Sequence, residues 1–136
     1  GYCRAHEAVG VERIPELDFE TDKQETEAFE AAQRLLDSDI EFYAIFTASD
    51  LIALGVMKCL QKNGIRIPED VSLVGFDDIP ASTYVTPALT TVKQDTRLAA
   101  EALFGNLLKM IEGEPVSSPQ VPLSLVVRGS CGGRNS

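Results

Sequence analysis

The sequence predicts an α/β fold in which a parallel sheet is flanked by helices, and three observations support this prediction. Short apolar runs that suit buried strands alternate with longer segments whose apolar residues recur at helical spacing. The connections between the apolar runs are too long for hairpins, which favours parallel pairing of the strands. The chain has 136 residues, of which 44% are hydrophobic and 24% are charged, as expected for one globular domain.

The first forty residues predict two helices with a short strand between them. Residues 1–9 have helical spacing and stop at Gly10, whereas residues 11–19 alternate loosely, as in a short edge strand. Thr21 and Gln24 have the spacing of a capping box for the second helix. The apolar residues of that helix share one face, and they are Ala28, Phe29, Ala32, Leu35 and Leu36.

The middle of the chain predicts a strand followed by an unusually apolar helix. Residues 42–47 form an apolar, aromatic run that suits a buried strand, and Ser49 or Asp50 can cap the next helix. Residues 51–60 are apolar on nearly every side of that helix. Ala53, Val56, Met57 and Leu60 suffice to cover a sheet, which leaves Leu51, Ile52, Leu54 and Cys59 for another contact.

The rest of the chain predicts three more strands and one more helix. Residues 71–76 and 89–93 are apolar runs that suit strands, and residues 96–112 have an amphipathic helical pattern. Residues 123–127 form a last strand, and residues 129–136 are predicted to be a frayed tail.

Acidic residues are concentrated in one part of the chain. Between Glu7 and Glu41 there are 12 Asp or Glu and 3 Lys or Arg, whereas the remainder holds 9 residues of each sign. A surface of this charge does not attract a phosphate backbone, so we expect no DNA binding by these residues alone.

Membrane and metal-binding classes also lack support in the sequence. No apolar run reaches the roughly 18 residues of a membrane helix, and the first ten residues have no signal pattern. Cys3, Cys59 and Cys131 are odd in number and far apart, so we expect neither a disulfide framework nor a zinc site, and we place Cys59 in the core. These features predict a cytoplasmic protein without a metal or a cofactor.

Polar residues follow the apolar runs directly at three predicted strand ends. These pairs are Ser49-Asp50, Asp77-Asp78 and Gln94-Asp95. Ligands of parallel α/β sheets bind beyond the carboxyl ends of the strands, where these side chains would converge. Carboxylate, amide and hydroxyl groups without a basic cluster suit a neutral polyhydroxylated or heteroaromatic ligand, and Phe46 could stack on its ring. The alternative is that the polar residues are caps and turns and that Phe46 packs in the core.

Enzymatic functions have little support. The only histidine is His6, on a helix face predicted to be solvated, so a catalytic triad would have to be built around it. Adjacent carboxylates such as Asp77 and Asp78 usually point apart in a turn, and no glycine-rich phosphate loop opens a helix. We therefore expect that the chain is not an enzyme.

Four motifs in order resemble the C-terminal, effector-binding half of the LacI/GalR family of bacterial transcription regulators. They are FTASDLIALG from Phe46, GIRIPEDVSLVGFDD from Gly64, PALTTVKQD from Pro87 and VVRGS from Val126. The resemblance implies a periplasmic-binding-protein-like fold of two α/β subdomains preceded by a helix-turn-helix headpiece. It also implies a small sugar-like or nucleobase-like effector that controls operator binding by that headpiece.

The resemblance also implies roles for individual residues. Asp77 matches the family's ligand-binding aspartate, and Gln94 matches the amide or nearby hinge position after the following strand. Phe46 matches a frequent ring-stacking position. Ser49 stands where many members have an asparagine that bonds sugar hydroxyls, so the shorter Ser49 hydroxyl weakens that expectation. The arginine that often bonds the ligand would lie before Gly1.

The expected domain organisation and assembly follow from the same comparison. Residues 1–95 would form the main part of the C-terminal subdomain, residues 96–122 a helix and crossover toward the N-terminal subdomain, and residues 123–136 the last strand and tail. A homodimer is expected through Leu51, Leu54, Tyr84 and Val85, unless another helix of the same subunit covers the apolar helix. Operator DNA would be bound only through the headpiece.

Two other classes remain open from the sequence. The first alternative is the sugar-binding component of a transport system, which uses the same fold. The second is an enzyme that acts on sugars.

Overall fold

The computed structural model of the chain describes residues 2–20, 25–38, 40–118 and 120–132. The helices are α1 (Tyr2–Val9), α2 (Glu25–Leu36), α3 (Asp50–Lys62) and α4 (Thr96–Ile111), and the strands are β1 (Ala44–Phe46), β2 (Ser72–Asp77), β3 (Thr90–Gln94) and β4 (Leu123–Val126). Two short 3-10 helices lie at Pro15–Leu17 and Pro80–Thr83. The predicted capping box of Thr21 and Gln24 lies outside the described residues.

The sheet has four strands in the order β1-β2-β3-β4. The strands β1, β2 and β3 are parallel, which confirms the predicted α/β class, but β4 pairs antiparallel with β3. The chain leaves the sheet after Gln94 and returns at Leu123, which pairs with Gln94 itself. Because the excursion through α4 starts and ends at the same edge of the sheet, β4 must run in the opposite direction to β3.

The hydrophobic core lies between the sheet and the layered helices α2 and α3. Leu60, Leu73 and Leu89 have no exposed surface. A Cβ atom on Gly55 would lie 2.3 Å from the backbone oxygen of Glu25, so glycine is what lets α2 approach α3 this closely. Helix α2 thus covers a side of α3 other than its sheet side, as the apolar pattern of α3 predicts.

Cys59 occupies the core side of α3. It has no exposed surface, which confirms the prediction that Cys59 lies in the core. The prediction that Cys59 is one of the residues left for another contact was therefore wrong. Burial raises the pKa of the Cys59 thiol, against a smaller opposing effect of the hydrogen bond with Asn63. This cysteine is therefore a protonated core residue at neutral pH.

Two other predicted segments differ from the structure. Residues 11–19 do not form a strand, because Pro15 lacks an N–H group and begins the 3-10 helix at Pro15–Leu17. Residues 129–132 are not frayed: Ser130 is fully buried, its hydroxyl donates to Leu73 O at 2.6 Å, and it accepts from Thr90 N at 2.8 Å. The segment after β4 therefore joins the starts of β2 and β3.

Among the described residues, no helix combines the length and the apolar character needed to cross a bilayer.

Candidate functional site

The ends of β1, β2 and β3 form one edge of the sheet, which we call the carboxyl edge. It contains Phe46, Asp77 and Gln94 as the last residues of these strands. Gln94 Nε2 donates a hydrogen bond to Asp77 Oδ1 at 2.9 Å. The structure thus brings together two of the four predicted ligand-binding residues and orients the carboxylate through the amide.

Asp78 differs from its neighbour because basic side chains surround it. Its Oδ1 accepts from Arg128 Nη2 at 2.5 Å, and Lys93 Nζ lies 3.5 Å from Oδ2. Arg128 Nη1 also donates to Leu89 O at 2.7 Å. The hydrogen bond from Arg128 is the main reason why the pKa of Asp78 is lowered. Asp78 is therefore a structural ion-pair partner.

Arg128 is a residue of this region to which the sequence predictions gave no role. Its side chain is mostly buried, at 16% exposure, and it ties the segment after β4 to the turn after β2. The signal available in the sequence was a charged residue directly after an apolar strand, in the motif VVRGS. Together, Arg128 and Asp78 hold the backbone next to Asp77.

Ser49 caps helix α3 with its side chain. Its Oγ accepts a hydrogen bond from Ile52 N at 3.3 Å, as the capping interpretation predicts. The hydroxyl still has its own proton to donate, so capping leaves one hydrogen bond for a ligand. Ser49 is half-buried and lies three positions beyond the end of β1.

Phe46 is half exposed, at 51% of its surface, so it does not pack fully in the core. It lines an open cavity of about 540 Å³ together with Tyr2, Ala5, Ala48 and Phe76. Two of these aromatic residues, Tyr2 and Phe76, were not among the predicted site residues. Rings on three different elements provide flat apolar surfaces on which a ring-shaped ligand can stack.

A larger cavity of about 800 Å³ adjoins the first one and shares Tyr2, Phe46 and Ala48 with it. Its floor is formed by apolar residues of α2 and β1, and Asp18, Glu20 and Glu27 also line it. Carboxylates in the lining disfavour anionic ligands and favour neutral or cationic ones. Phe19 belongs to the same lining and was also missed, because the predicted edge strand gave it no role.

The predicted dimer residues lie on helix α3 and on the loop that follows the 3-10 helix Pro80–Thr83. Tyr84 is 84% exposed directly after the 3-10 helix Pro80–Thr83, and Leu51 is half exposed at the start of α3. Leu54 is half-buried, and Val85 is half-buried and packs against the core. Gln61 Nε2 donates to Thr86 O at 2.7 Å, which fastens α3 to this loop. The helix and the loop are therefore joined near the end of α3.

Comparison with known proteins places this geometry in a family. The family model of the periplasmic binding protein-like domain matches residues 1–131. The chain is 36% identical over 115 residues to the lactose operon repressor of Escherichia coli, covering 84% of this chain and 32% of that protein. It is 35% identical over 133 residues to the ribose operon repressor of Halalkalibacterium halodurans, covering 96% of this chain and 40% of that protein.

Solved structures agree with these relatives. The transcriptional regulator CelR in complex with cellobiose has a TM-score of 0.86 at 33% identity, covering 95% of this chain and 40% of that one. The Lac repressor dimer bound to operator and the anti-inducer ONPF has a TM-score of 0.84 at 31% identity, covering 96% of this chain and 46% of that one. The chain spans 32% and 40% of the lengths of the two curated relatives described above.

Proposed function

The chain belongs to the periplasmic binding protein-like domain family, and from this premise we propose that it is the effector-sensing part of a LacI-type transcription regulator. The relatives described above are repressors, and the fold of the chain matches their effector-binding domains. The arrangement that supports effector binding most directly is the Asp77–Gln94 hydrogen bond at the carboxyl edge, where β1 also ends in the half-exposed Phe46.

The effector is a small sugar-like or nucleobase-like molecule. Asp77 accepts hydrogen bonds from hydroxyl or N–H groups, and the Gln94 amide and Ser49 hydroxyl add groups that can donate or accept. Phe46 stacks on a sugar or heteroaromatic ring. Both basic groups beside Asp77 are engaged by Asp78, which leaves this edge without a free cation for a phosphate group among the described residues.

Regulation follows from closure of two subdomains around the effector. Residues 1–95 supply one wall of the cleft, residues 96–122 lead into the second subdomain, and residues 123–136 add the last strand and the tail. An effector that binds one closure state more tightly shifts the population toward it. In a cytoplasmic homodimer, this shift changes the relation between two helix-turn-helix headpieces and hence their affinity for operator DNA.

Titration of the full-length protein tests this proposal. Lactose, ribose, cellobiose, adenine and guanine are added separately in isothermal titration calorimetry, and each is then added to the protein bound to operator DNA in a gel-shift assay. We expect one sugar or nucleobase to bind and to change operator affinity. Binding without any effect on DNA, or release of the protein with the periplasmic fraction, would favour a transport component. Turnover of a sugar would indicate an enzyme.

A further inference from the structure

Asp50, the first residue of α3, is fully buried and accepts three hydrogen bonds from distant parts of the chain. Its Oδ2 accepts from Ile79 N at 3.0 Å and from Ser82 Oγ at 2.5 Å. Its Oδ1 accepts from Thr91 Oγ1 at 2.6 Å. Because a buried carboxyl group is costly without partners, these three donors are what allow Asp50 to occupy this position.

The sheet is shaped to leave room for this side chain. A Cβ atom at Gly75, in the middle of β2, would lie 2.2 Å from Asp50 Oδ1 and 3.0 Å from Leu89 Cδ2. Any residue with a side chain at this position would therefore displace the carboxyl group. Gly75 and Asp50 together form one packing unit, which lies beneath the carboxyl edge.

On one side, Asp50 holds the turn of residues 77–79, which we call the Asp77 turn. Asp77 and Asp78 have φ angles of 112° and 57°, which non-glycine residues rarely adopt and which need support from their surroundings. Thr91 Oγ1 accepts from Asp78 N at 3.4 Å while it donates to Asp50, and Ile79 N donates to Asp50 directly. Two consecutive backbone amides after Asp77 are thus anchored to the same carboxyl group.

On the other side, Asp50 holds the loop of residues 80–87, which exposes Tyr84 and which we call the Tyr84 loop. Ser82 is fully buried in the 3-10 helix Pro80–Thr83, and its hydroxyl donates to Asp50. Its carbonyl oxygen accepts from Leu89 N at 2.8 Å, at the start of the next strand. The position of the Tyr84 loop therefore depends on the same carboxyl group as the position of Asp77.

We propose that Asp50 is a positioning residue that couples the Asp77 turn to the Tyr84 loop, so that a displacement of one displaces the other. The hydrogen bonds Ser82–Asp50–Thr91 form the connection, since they join both segments within one buried network. The further consequence, that an effector on Asp77 alters the contact between subunits, rests on the proposed function. The coupling itself is a property of the free protein.

Amide hydrogen exchange of the full-length protein without any ligand tests the coupling in both directions. Ser82→Ala removes a hydroxyl on the loop side, and the readout is the exchange of the Asp78 amide on the other side. We expect exchange to accelerate about tenfold or more, the effect of losing a hydrogen bond to a charged group. Thr83→Ala is the matched control: its hydroxyl lies in the same 3-10 helix but donates to Pro80 O, so Asp78 should be unaffected.

The reverse direction uses Thr91, on the β3 side of the network. Thr91→Val keeps the shape but removes the hydroxyl, and we expect the Ser82 and Tyr84 amides to exchange faster by a similar factor. Thr91→Ser restores the hydroxyl and should bring exchange back toward the wild-type rate. Substitution of a residue that only contributes to overall stability would accelerate exchange throughout the sheet. Ser130→Ala is the comparison for this pattern, because Ser130 is buried at the starts of β2 and β3, opposite the carboxyl edge.

The proposal is overturned if Ser82→Ala leaves the Asp78 amide within twofold of wild type, or if Thr83→Ala has the same effect. It is also overturned if Thr91→Ser exchanges as fast as Thr91→Val. These outcomes do not depend on an effector. Failure of the sugar and nucleobase titrations would therefore count against the proposed function and leave the coupling result standing.

Discussion

Asp77 and Asp78 are neighbours in the sequence but have different surroundings. Asp77 pairs with the neutral amide of Gln94, whereas Asp78 lies between Arg128 and Lys93. Both residues have positive φ angles, and their carboxyl groups accept hydrogen bonds from different partners. One carboxylate therefore remains available to a ligand while the other fastens β4 to the turn.

At Asp77, we expect substitution by alanine to weaken effector binding by the full-length protein about tenfold or more. A hydrogen bond to a charged acceptor contributes about 1.5–3 kcal/mol, and Asp77 is not needed for core packing. Titration calorimetry with the sugar or nucleobase that binds the wild type measures the change. Asp95→Ala is the control, because Asp95 caps α4 through Leu98 N at 3.0 Å and its loss should leave the affinity unchanged. Equal affinities of Asp77→Ala and wild type contradict the assignment.

At Asp78, we expect a contribution to stability that disappears in acid. Its pKa in the folded protein is lowered, chiefly by the hydrogen bond from Arg128, below the value of about 4 for an unfolded chain. The contribution is therefore complete above about pH 4 and is lost as the pH falls through the lower, folded value. Urea unfolding from pH 7 to pH 3 should show a steeper acid loss for wild type than for Asp78→Asn.

A second carboxylate with a lowered pKa does not affect this difference between the two proteins. The pKa of Asp70, for example, is lowered to about 2 by its hydrogen bond with the Arg66 side chain, in both proteins alike. If the unfolding free energies of wild type and Asp78→Asn change in parallel with pH, the ion pair with Arg128 adds nothing to stability.

At the scale of elements, helix α3 has a core side and an outward side. Ala53, Val56, Met57 and Leu60 are buried, while Leu51 is half exposed and Leu54 is half-buried. We expect Leu54→Glu to leave the full-length protein folded by circular dichroism but monomeric by sedimentation, since a buried unpaired charge costs several kcal/mol. Arg34→Glu reverses a charge on the exposed side of α2 and should remain dimeric. A Leu54→Glu dimer would place the subunit contact elsewhere.

The elements that could be predicted are those with long apolar patterns. Among the described residues, the four helices and four strands were predicted within a few residues of their bounds. Their apolar periodicity depends only on residues close together in the sequence. The alternation in residues 11–19 is too short to outweigh Pro15, which explains the wrong strand. The direction of β4 has no signal of its own, since a strand has the same period whichever way it runs.

The candidate site was predictable in part for the same reason. The proximity of Asp77 and Gln94 was predictable because residues at the ends of neighbouring parallel strands lie at one edge of the sheet. Tyr2, Phe19 and Arg128 reach that region from segments distant in sequence, so only the tertiary structure shows their proximity. Ser130 lacked any local pattern, and its burial depends on two strands that end far earlier in the chain.

For the whole molecule, α4 presents a large exposed apolar face. Leu103 and Ile111 are 72% and 74% exposed, and none of the residues within Thr96–Ile111 is buried. Apolar patches of this kind mark contact surfaces. If residues 96–122 lead into a second subdomain, the α4 amides should exchange at least tenfold more slowly in the full-length protein than in these 136 residues. Amides of α3 such as Val56 serve as the control, and equal exchange of α4 in both proteins contradicts the domain assignment.

The burial of Ser130 has a consequence for biosynthesis. Its hydroxyl joins Leu73 and Thr90, so two strands made early in translation receive a shared partner from a residue made much later. Until Ser130 has left the ribosome, the nascent chain has unpaired backbone groups at the starts of β2 and β3, which are the groups that promote association between chains. We therefore expect a product that ends shortly before residue 130 to associate and to be degraded more readily than the longer chain.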